Sequence, residues 1–248
     1  MDPRVLFLFL AGLALAFSDG AGAQPIEEAR AAHAAGRFAE AARIGASVGT
    51  SEGYALAARA LAYHAHFLAP HDRKEGLLDE AAALAEKAVR ADPDNPEAHL
   101  QRAHTIGRLS QAIGSFEAAD RGYAEKIREA AENALKLDPG MAAAHLAMGA
   151  WHAEIVAAVG SFLARITYGA REREAIAHFD KAVAGAPQVK AVYLEYALGL
   201  LALDEDEYRD RARGLLARAI EIPAKDAYDR ILHRNAVERL EALDASSG

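Results

Sequence analysis

A twenty-residue phrase occurs twice in this chain, and its recurrence restricts the folds open to it. Residues 81–100 read AAALAEKAVRADPDNPEAHL and residues 127–146 read IREAAENALKLDPGMAAAHL. The spacing is 46 residues. It carries Ala85 onto Ala131, Ala88 onto Ala134, Asp92-Pro93 onto Asp138-Pro139, and His99-Leu100 onto His145-Leu146. A third copy follows after 48 residues, with Ala175, Phe179, Ala182, Pro187 and Tyr193-Leu194. A fourth, 37 residues further on, keeps Ala212, Leu216 and Ala219, with Pro223 one position early. A weaker first copy lies 40 residues before Ala81, at Ala41, Gly45 and Val48. A unit of this length cannot bury its apolar face alone, so copies must stack.

The phrase encodes two helices and a turn. Small or apolar residues at i, i+4 and i+7 share one helix face, and alanine there lets a neighbouring helix come close. Asp-Pro ends the helix, because proline disfavours helical geometry in the residue before it. Asn95-Pro96-Glu97 starts the next one, with proline tolerated in a first turn and Asp94 or Asn95 available to cap it. Gly36, Gly76 and Gly122 each lie five residues before the first position of a copy, Ala41, Ala81 and Ile127, which reads as a turn between helix A and helix B. The expected pairs are residues 25–48, 54–91, 96–137, 142–184 and 189–222, with residues 70–75 as a charged loop. A last amphipathic helix over 226–243, carrying Ile231, Leu232, Val237 and Leu240, is expected to cap the open end of the stack. The fold class is therefore all-α: a solenoid of about five helical hairpins lined up into one rod. No alternating strand pattern stands out.

The third and fourth pairs are too long for an ordinary hairpin unit. Their surplus is itself duplicated, since Ala112-Ile113-Gly114-Ser115-Phe116 and Ala158-Val159-Gly160-Ser161-Phe162 are 46 residues apart. The pattern of Ala147, Met148, Trp151, Ile155, Ala158, Val159, Phe162 and Ile166 keeps a helical period, so an unusually long helix A is expected, projecting from the stack. It would serve as extra packing surface or as the wall of a binding site.

Residues 1–23 read as an export signal. Arg4 precedes an apolar run over 5–17, and Ala21-Gly22-Ala23 forms an A-x-A cleavage site before Gln24. Thirteen apolar residues are short for a membrane span, so export and removal are expected, with an uncleaved anchor as the alternative. The mature domain, 24–248, is expected in the periplasm or outside the cell. The net charge of −8 disfavours nucleic acid or an anionic membrane as a main partner. The chain has no cysteine, which removes disulfides, thiolate metal sites and thiol nucleophiles.

Motifs for chemistry are weak. Gly49-Thr50-Ser51-Glu52-Gly53 spells G-x-S-x-G, but a nucleophile elbow follows a strand and this one links two helices, where Ser51 would serve as a cap. Ten histidines include His64, His66 and His71, which fall on different helix faces. His99 and His145 stand where the third copy has Tyr193, which favours packing with the ring's polar edge hydrogen-bonded. No phosphate loop or dinucleotide fingerprint is present. No catalytic residue, cofactor or metal is assigned. The candidate partner-binding residues are His104, Arg108, Trp151, Glu154, Tyr193 and Tyr196. His104 and Arg108 share a face of the third helix A, and the 46-residue shift sets Ala150 and Glu154 opposite them on the next. Arg108 and Glu154 would then face one another across the concave groove, near Trp151, or form an ordinary ion pair between repeats. The three aromatics are core by default and anchors for a bound segment otherwise. The acidic run 204–207 is the turn before a helix B.

The repeat resembles the tetratricopeptide family, best in Ala175, Phe179, Ala182 and Pro187, although His99, His145 and Tyr193 stand where that family usually has Trp. More narrowly, Met148-Gly149-Ala150-Trp151, Leu163-Ala164-Arg165, Ala175 to Phe179 and Ala219-Ile220-Glu221-Ile222-Pro223-Ala224 resemble the regulator-of-microtubule-dynamics family and its bacterial relatives. The resemblance covers residues 76–244 and implies a helical-repeat scaffold without catalysis. Its eukaryotic members are associated with microtubules and membranes, and the microtubule role is not carried over to an exported chain. The expected function is a non-enzymatic scaffold for a protein partner in the cell envelope. The alternative is a carrier of a small apolar or anionic ligand between the long helices.

Overall fold

The computed structural model describes residues 23–245; the expected export signal falls almost wholly outside them. Among the described residues every regular element is helical. Five hairpins follow one another: α1 (Ala23–Ala34) with α2 (Phe38–Val48), α3 (Ser51–Tyr63) with α4 (His71–Ala91), and α5 (Pro96–Ile113) with α7 (Tyr123–Leu137) after a short α6 (Ser115–Asp120). They continue as α8 (Ala142–Leu163) with α9 (Glu172–Gly185) and α10 (Lys190–Leu203) with α11 (Glu205–Glu221), and α12 (Ala227–Ala245) closes the chain. Each helix packs on its hairpin partner and on the next A helix, as α3 does on α4 and α5.

The boundaries follow from local chemistry. Asn95 caps α5 by accepting from the Glu97 amide at 3.0 Å, with Pro96 in the first turn. Asp204 caps α11 by accepting from the Glu207 amide at 3.0 Å. Thr50, not Ser51, caps α3, with its Oγ1 accepting from Gly53; Ser51 is the first residue of the helix and accepts from Asn95 Nδ2 at 2.9 Å. Gly36 and Gly122 turn the chain at positive φ, 83° and 64°. Gly76 does not. It lies within α4, which begins directly after Pro70, so residues 71–75 of the expected loop are helical instead. Proline fixes the entry and the charged residues that follow are compatible with a first turn.

The repeated histidine position has a definite job. His99 Nε2 bonds the Pro93 carbonyl at 2.8 Å, His145 Nε2 the Pro139 carbonyl at 3.1 Å, and the Tyr193 hydroxyl donates to the Pro187 carbonyl at 3.1 Å. Each ring reaches back six residues to pin the proline turn, a task that needs a donor at the end of a flat side chain. The repeat alanines do what their spacing predicts: Ala81, Ala85, Ala88, Ala131, Ala134, Ala175, Ala182, Ala212 and Ala219 are all fully buried.

Two expectations fail. The long helix A is broken in both lengthened repeats. α5 stops at Gly114 (φ 86°, ψ 162°), and α8 carries the same break at Gly160 (φ 78°, ψ 153°). That backbone region is essentially reserved for glycine, so helical periodicity in the flanking residues could not carry through it. Nor is the stack an open rod. The start of α12 returns to the first hairpin, where a Cβ added to Gly36 would stand 2.7 Å from the Cβ of Ala227. Tyr228 stacks on Tyr63 of α3 with ring centroids 4.1 Å apart and planes 10° from parallel. The capping helix thus covers the last hairpin through Leu232, Ala236 and Leu243 and also touches the first.

Candidate functional site

The A helices α3, α5, α8 and α10 line the inner side of the curved stack, and α12 crosses it. Where α12 begins, Tyr228 meets Tyr63, and Phe67 lies 6.0 Å away, centroid to centroid. His104 of α5 sets its ring edge-on to Tyr63 at 5.5 Å. Beside this aromatic cluster a cavity of about 790 Å³ opens between α12 and the A helices. Leu194, Leu198 and Leu201 of α10 and Leu232 of α12 supply its apolar wall, and Arg108, Gln111, Glu154 and Glu195 supply its polar one.

The polar wall is a continuous chain of contacts across three helices. Arg108 Nη2 donates to Glu195 Oε1 at 3.4 Å and Arg108 Nη1 to Gln111 Oε1 at 3.3 Å. Gln111 Nε2 donates in turn to Glu154 Oε1 at 2.9 Å. Arg108 therefore does not pair directly with Glu154. It reaches past α8 to α10, two repeats on, because the tight curvature brings α5 and α10 within one side chain of each other. Gln111, one turn beyond Arg108 on α5, bridges to Glu154 instead.

This setting moves several ionisation equilibria. Burial opposes the Arg108 charge, but Glu195 with the phenols of Tyr228 and Tyr63 more than offsets it, and the pKa rises. Burial raises the Glu154 carboxyl, with Gln111 and Arg108 drawing it partly back; the side chain is still reached by solvent from the cavity although protein surrounds most of it. His104 is lowered to about 3 by burial, then by Arg108 and Arg59. His66 is lowered to about 4 by burial, then by Arg108 and Lys74. Both imidazoles are neutral at pH 7, so the charged side chains lining the cavity are Arg108 and Arg239 against Glu154, Glu195, Glu205 and Glu238. That suits it to orient a bound group by hydrogen bonds and charge, and it offers no activated nucleophile.

Of the six residues singled out from the sequence, His104, Arg108 and Glu154 come together here. Trp151 turns away: it is buried, its Nε1 donates to the Ala124 carbonyl of α7 at 2.7 Å, and the Arg128 guanidinium lies over its ring. Tyr193 holds the proline turn. Tyr196 stacks on Phe179 at 4.7 Å and donates to Asp180 at 2.8 Å, within the core between α9 and α10. All three aromatics are thus core residues. The site also uses Tyr63, Phe67, Gln111, Glu195 and Tyr228, which no repeat register pointed to. Among the described residues no group of three or more His, Asp, Glu or Cys is placed to hold a metal ion. The G-x-S-x-G segment runs from the left-handed Gly49 that ends α2 into α3, without a strand.

The family model for regulator of microtubule dynamics protein 1-3 matches residues 28–244, nearly the whole described chain. The chain belongs to this family. A thermophilic TPR protein of Thermus thermophilus, known from a crystal structure, superposes on this family member with a TM-score of 0.62. It covers 88% of this chain and 99% of its own, at 20% sequence identity, so the shared property is the tetratricopeptide-like fold. No curated protein sequence matches.

Proposed function

We propose that this family member is a non-enzymatic scaffold of the cell envelope that holds a protein partner at the inner face of its helical stack. The observation that carries this is the Glu195–Arg108–Gln111–Glu154 chain set against an apolar wall in the 790 Å³ cavity. Fixed charges beside apolar surface give register and contact area together. The tetratricopeptide-like fold supports the reading, since stacked repeats present extended concave surfaces. Residues 1–23, read as an export signal, support a location in the periplasm or outside the cell. The test is in vivo photo-crosslinking from Gln111 and Glu238, two residues at the cavity, followed by affinity capture and fractionation. A discrete partner crosslinked from both positions, and lost in Glu154→Lys, is the expected result. No crosslinked protein, or capture indifferent to Glu154→Lys, would end the proposal.

A second reading rests on the same cavity, whose volume falls in the range of small-molecule sites. On it the protein carries a compact ligand and no partner enters the groove. Ligand-dependent thermal stabilisation, or a bound small molecule in native mass spectrometry, would favour the carrier over the scaffold.

A further inference from the structure

The fourth hairpin carries one histidine more than the repeat requires. Three residues into each copy, helix B has Leu84 in α4, Ala130 in α7 and Leu215 in α11, but His178 in α9. His178 meets His145, the ring that pins the Pro139 turn at the start of α8. Their Nδ1 atoms are 3.0 Å apart and their ring centroids 5.1 Å. Both rings are half-buried, within reach of solvent. At the equivalent place in the third hairpin, the Nδ1 of His99 is buried without a hydrogen-bond partner. Pinning the turn therefore does not need this second nitrogen, and its pairing with His178 is an addition peculiar to the fourth hairpin.

The neighbours fix the protons. His145 Nε2 lies 3.1 Å from the Pro139 carbonyl, which can only accept, so Nε2 holds the proton and Nδ1 presents a lone pair. His178 then donates to it from its own Nδ1. A backbone carbonyl on the far nitrogen is the outer support that metal-binding imidazoles ordinarily have: it sets tautomer and ring angle and makes the near nitrogen more basic. Moving the His178 proton from Nδ1 to Nε2 leaves both rings neutral and presents two lone pairs side by side.

Distance and ligand type select the ion. With metal–imidazole bonds of about 2.0–2.1 Å, nitrogens 3.0 Å apart subtend about 95° at a bound cation. That is the cis angle of a tetragonal ion and is narrow for a tetrahedral one. Copper(II) also has the highest affinity for such sites among the divalent first-row metals. His152 is not a third ligand, because its Nδ1 accepts from the Arg171 amide at 3.3 Å and its ring lies 5.8 Å from that of His178. Water fills the remaining positions. Lys181 and Glu174 act on His178 with opposite sign, so no excess of negative charge favours calcium or magnesium.

We propose that His145 and His178 bind a copper(II) ion between α8 and α9. The site shares no residue with the concave cavity, so it is independent of what the groove holds. The bound ion ties together the two helices of the fourth hairpin and stabilises the folded chain by mass action.

The test titrates copper(II) sulfate into the full chain, prepared without a histidine tag, with calorimetry and electron paramagnetic resonance as readouts. His178→Leu and His145→Tyr each install the residue that another copy has at that place, and the tyrosine keeps the turn bond as Tyr193 does. Both variants should fold, as circular dichroism will report. The parent should bind one equivalent with hyperfine coupling to two imidazole nitrogens, and its melting temperature should rise with copper. Each variant should bind about tenfold more weakly or worse and lose both the two-nitrogen signal and the rise in melting temperature. His71→Ala, at an exposed histidine outside the pair, should behave as the parent. Copper held at the amino terminus is common to all four proteins and cancels. Equal binding by His178→Leu, or the absence of a two-nitrogen signal in the parent, would overturn the proposal. So would tighter binding of zinc(II) than of copper(II).

Discussion

Phe179 is gripped by two glycines, and the grip can be measured. The ring is fully buried and stacked on Tyr196. A Cβ at Gly149 of α8 would stand 2.6 Å from its Cδ1, and one at Gly199 of α10 would stand 2.5 Å from its Cζ. Both distances are below any real carbon contact, so the two helices meet the ring edge to edge only because neither has a side chain there. Phe179→Ala should cost about 3–5 kcal/mol, the range for removing a buried aromatic. Gly199→Ala is a sum of opposed effects. It gains about 1 kcal/mol of helix propensity and loses about 1–3 kcal/mol to overpacking, so the net change runs from near zero to about 2 kcal/mol of destabilisation. In the Phe179→Ala background the clash is absent and part of the void is filled. There Gly199→Ala should stabilise by about 1 kcal/mol. The cycle predicts a coupling of about 1–3 kcal/mol between the two sites, read from urea unfolding followed by circular dichroism. Additive effects, or a Gly199→Ala variant more stable than the parent, would refute the claim that this glycine exists for the ring.

Three further expectations follow from the packing. Lys190 is fully buried and its Nζ donates to the carbonyls of Ala219, in the last turn of α11, and of Ile222 just after it; Lys190→Met leaves both without this donor and should cost about 1–3 kcal/mol in urea unfolding. Burial lowers His33, His66 and His178 to about 4 and His104 to about 3, whereas an unfolded histidine titrates near 6.5. The unfolded chain takes up these protons first, so stability should be full above about pH 6.5 and fall as the pH drops toward 4, visible as declining melting temperatures. A flat profile across that window would contradict the burial of these rings. Tyr228→Ala removes the stack on Tyr63 and should cost about 2–4 kcal/mol, with amide exchange accelerating in α12 and α3 before it does in α7.

The sequence carried the hairpins because their chemistry is local and repeated. Each alanine stripe, proline turn and cap can be read within a few residues, and the His99, His145 and Tyr193 equivalence foretold a hydrogen-bonded packing role. The broken inserts were missed because apolar periodicity is blind to a glycine in the mirror-image β region; the glycine itself, repeated at 114 and 160, was the available signal. The larger part of the site was missed for a different reason. Glu195 and Tyr228 reach the groove through the curvature of the whole stack, a property of accumulated inter-repeat angles that no single repeat displays. Trp151 and Tyr196 could equally have faced the core or the groove, since helical spacing places a side chain on a face without saying which neighbour that face receives.

The return of α12 to the first hairpin changes how this chain should come apart. In an open array each unit touches only its neighbours, and unfolding can fray from either end and propagate. Here Ala227 packs against Gly36 of the first hairpin and Tyr228 stacks on Tyr63 of the second, 191 and 165 residues away in sequence, so neither end is free to fray alone. Forming these contacts exacts the closure entropy of a loop spanning most of the chain, which slows folding relative to an open repeat of equal length. In exchange the two terminal hairpins melt together, and a protein assembled from modular pieces gains the all-or-none transition of a single globule.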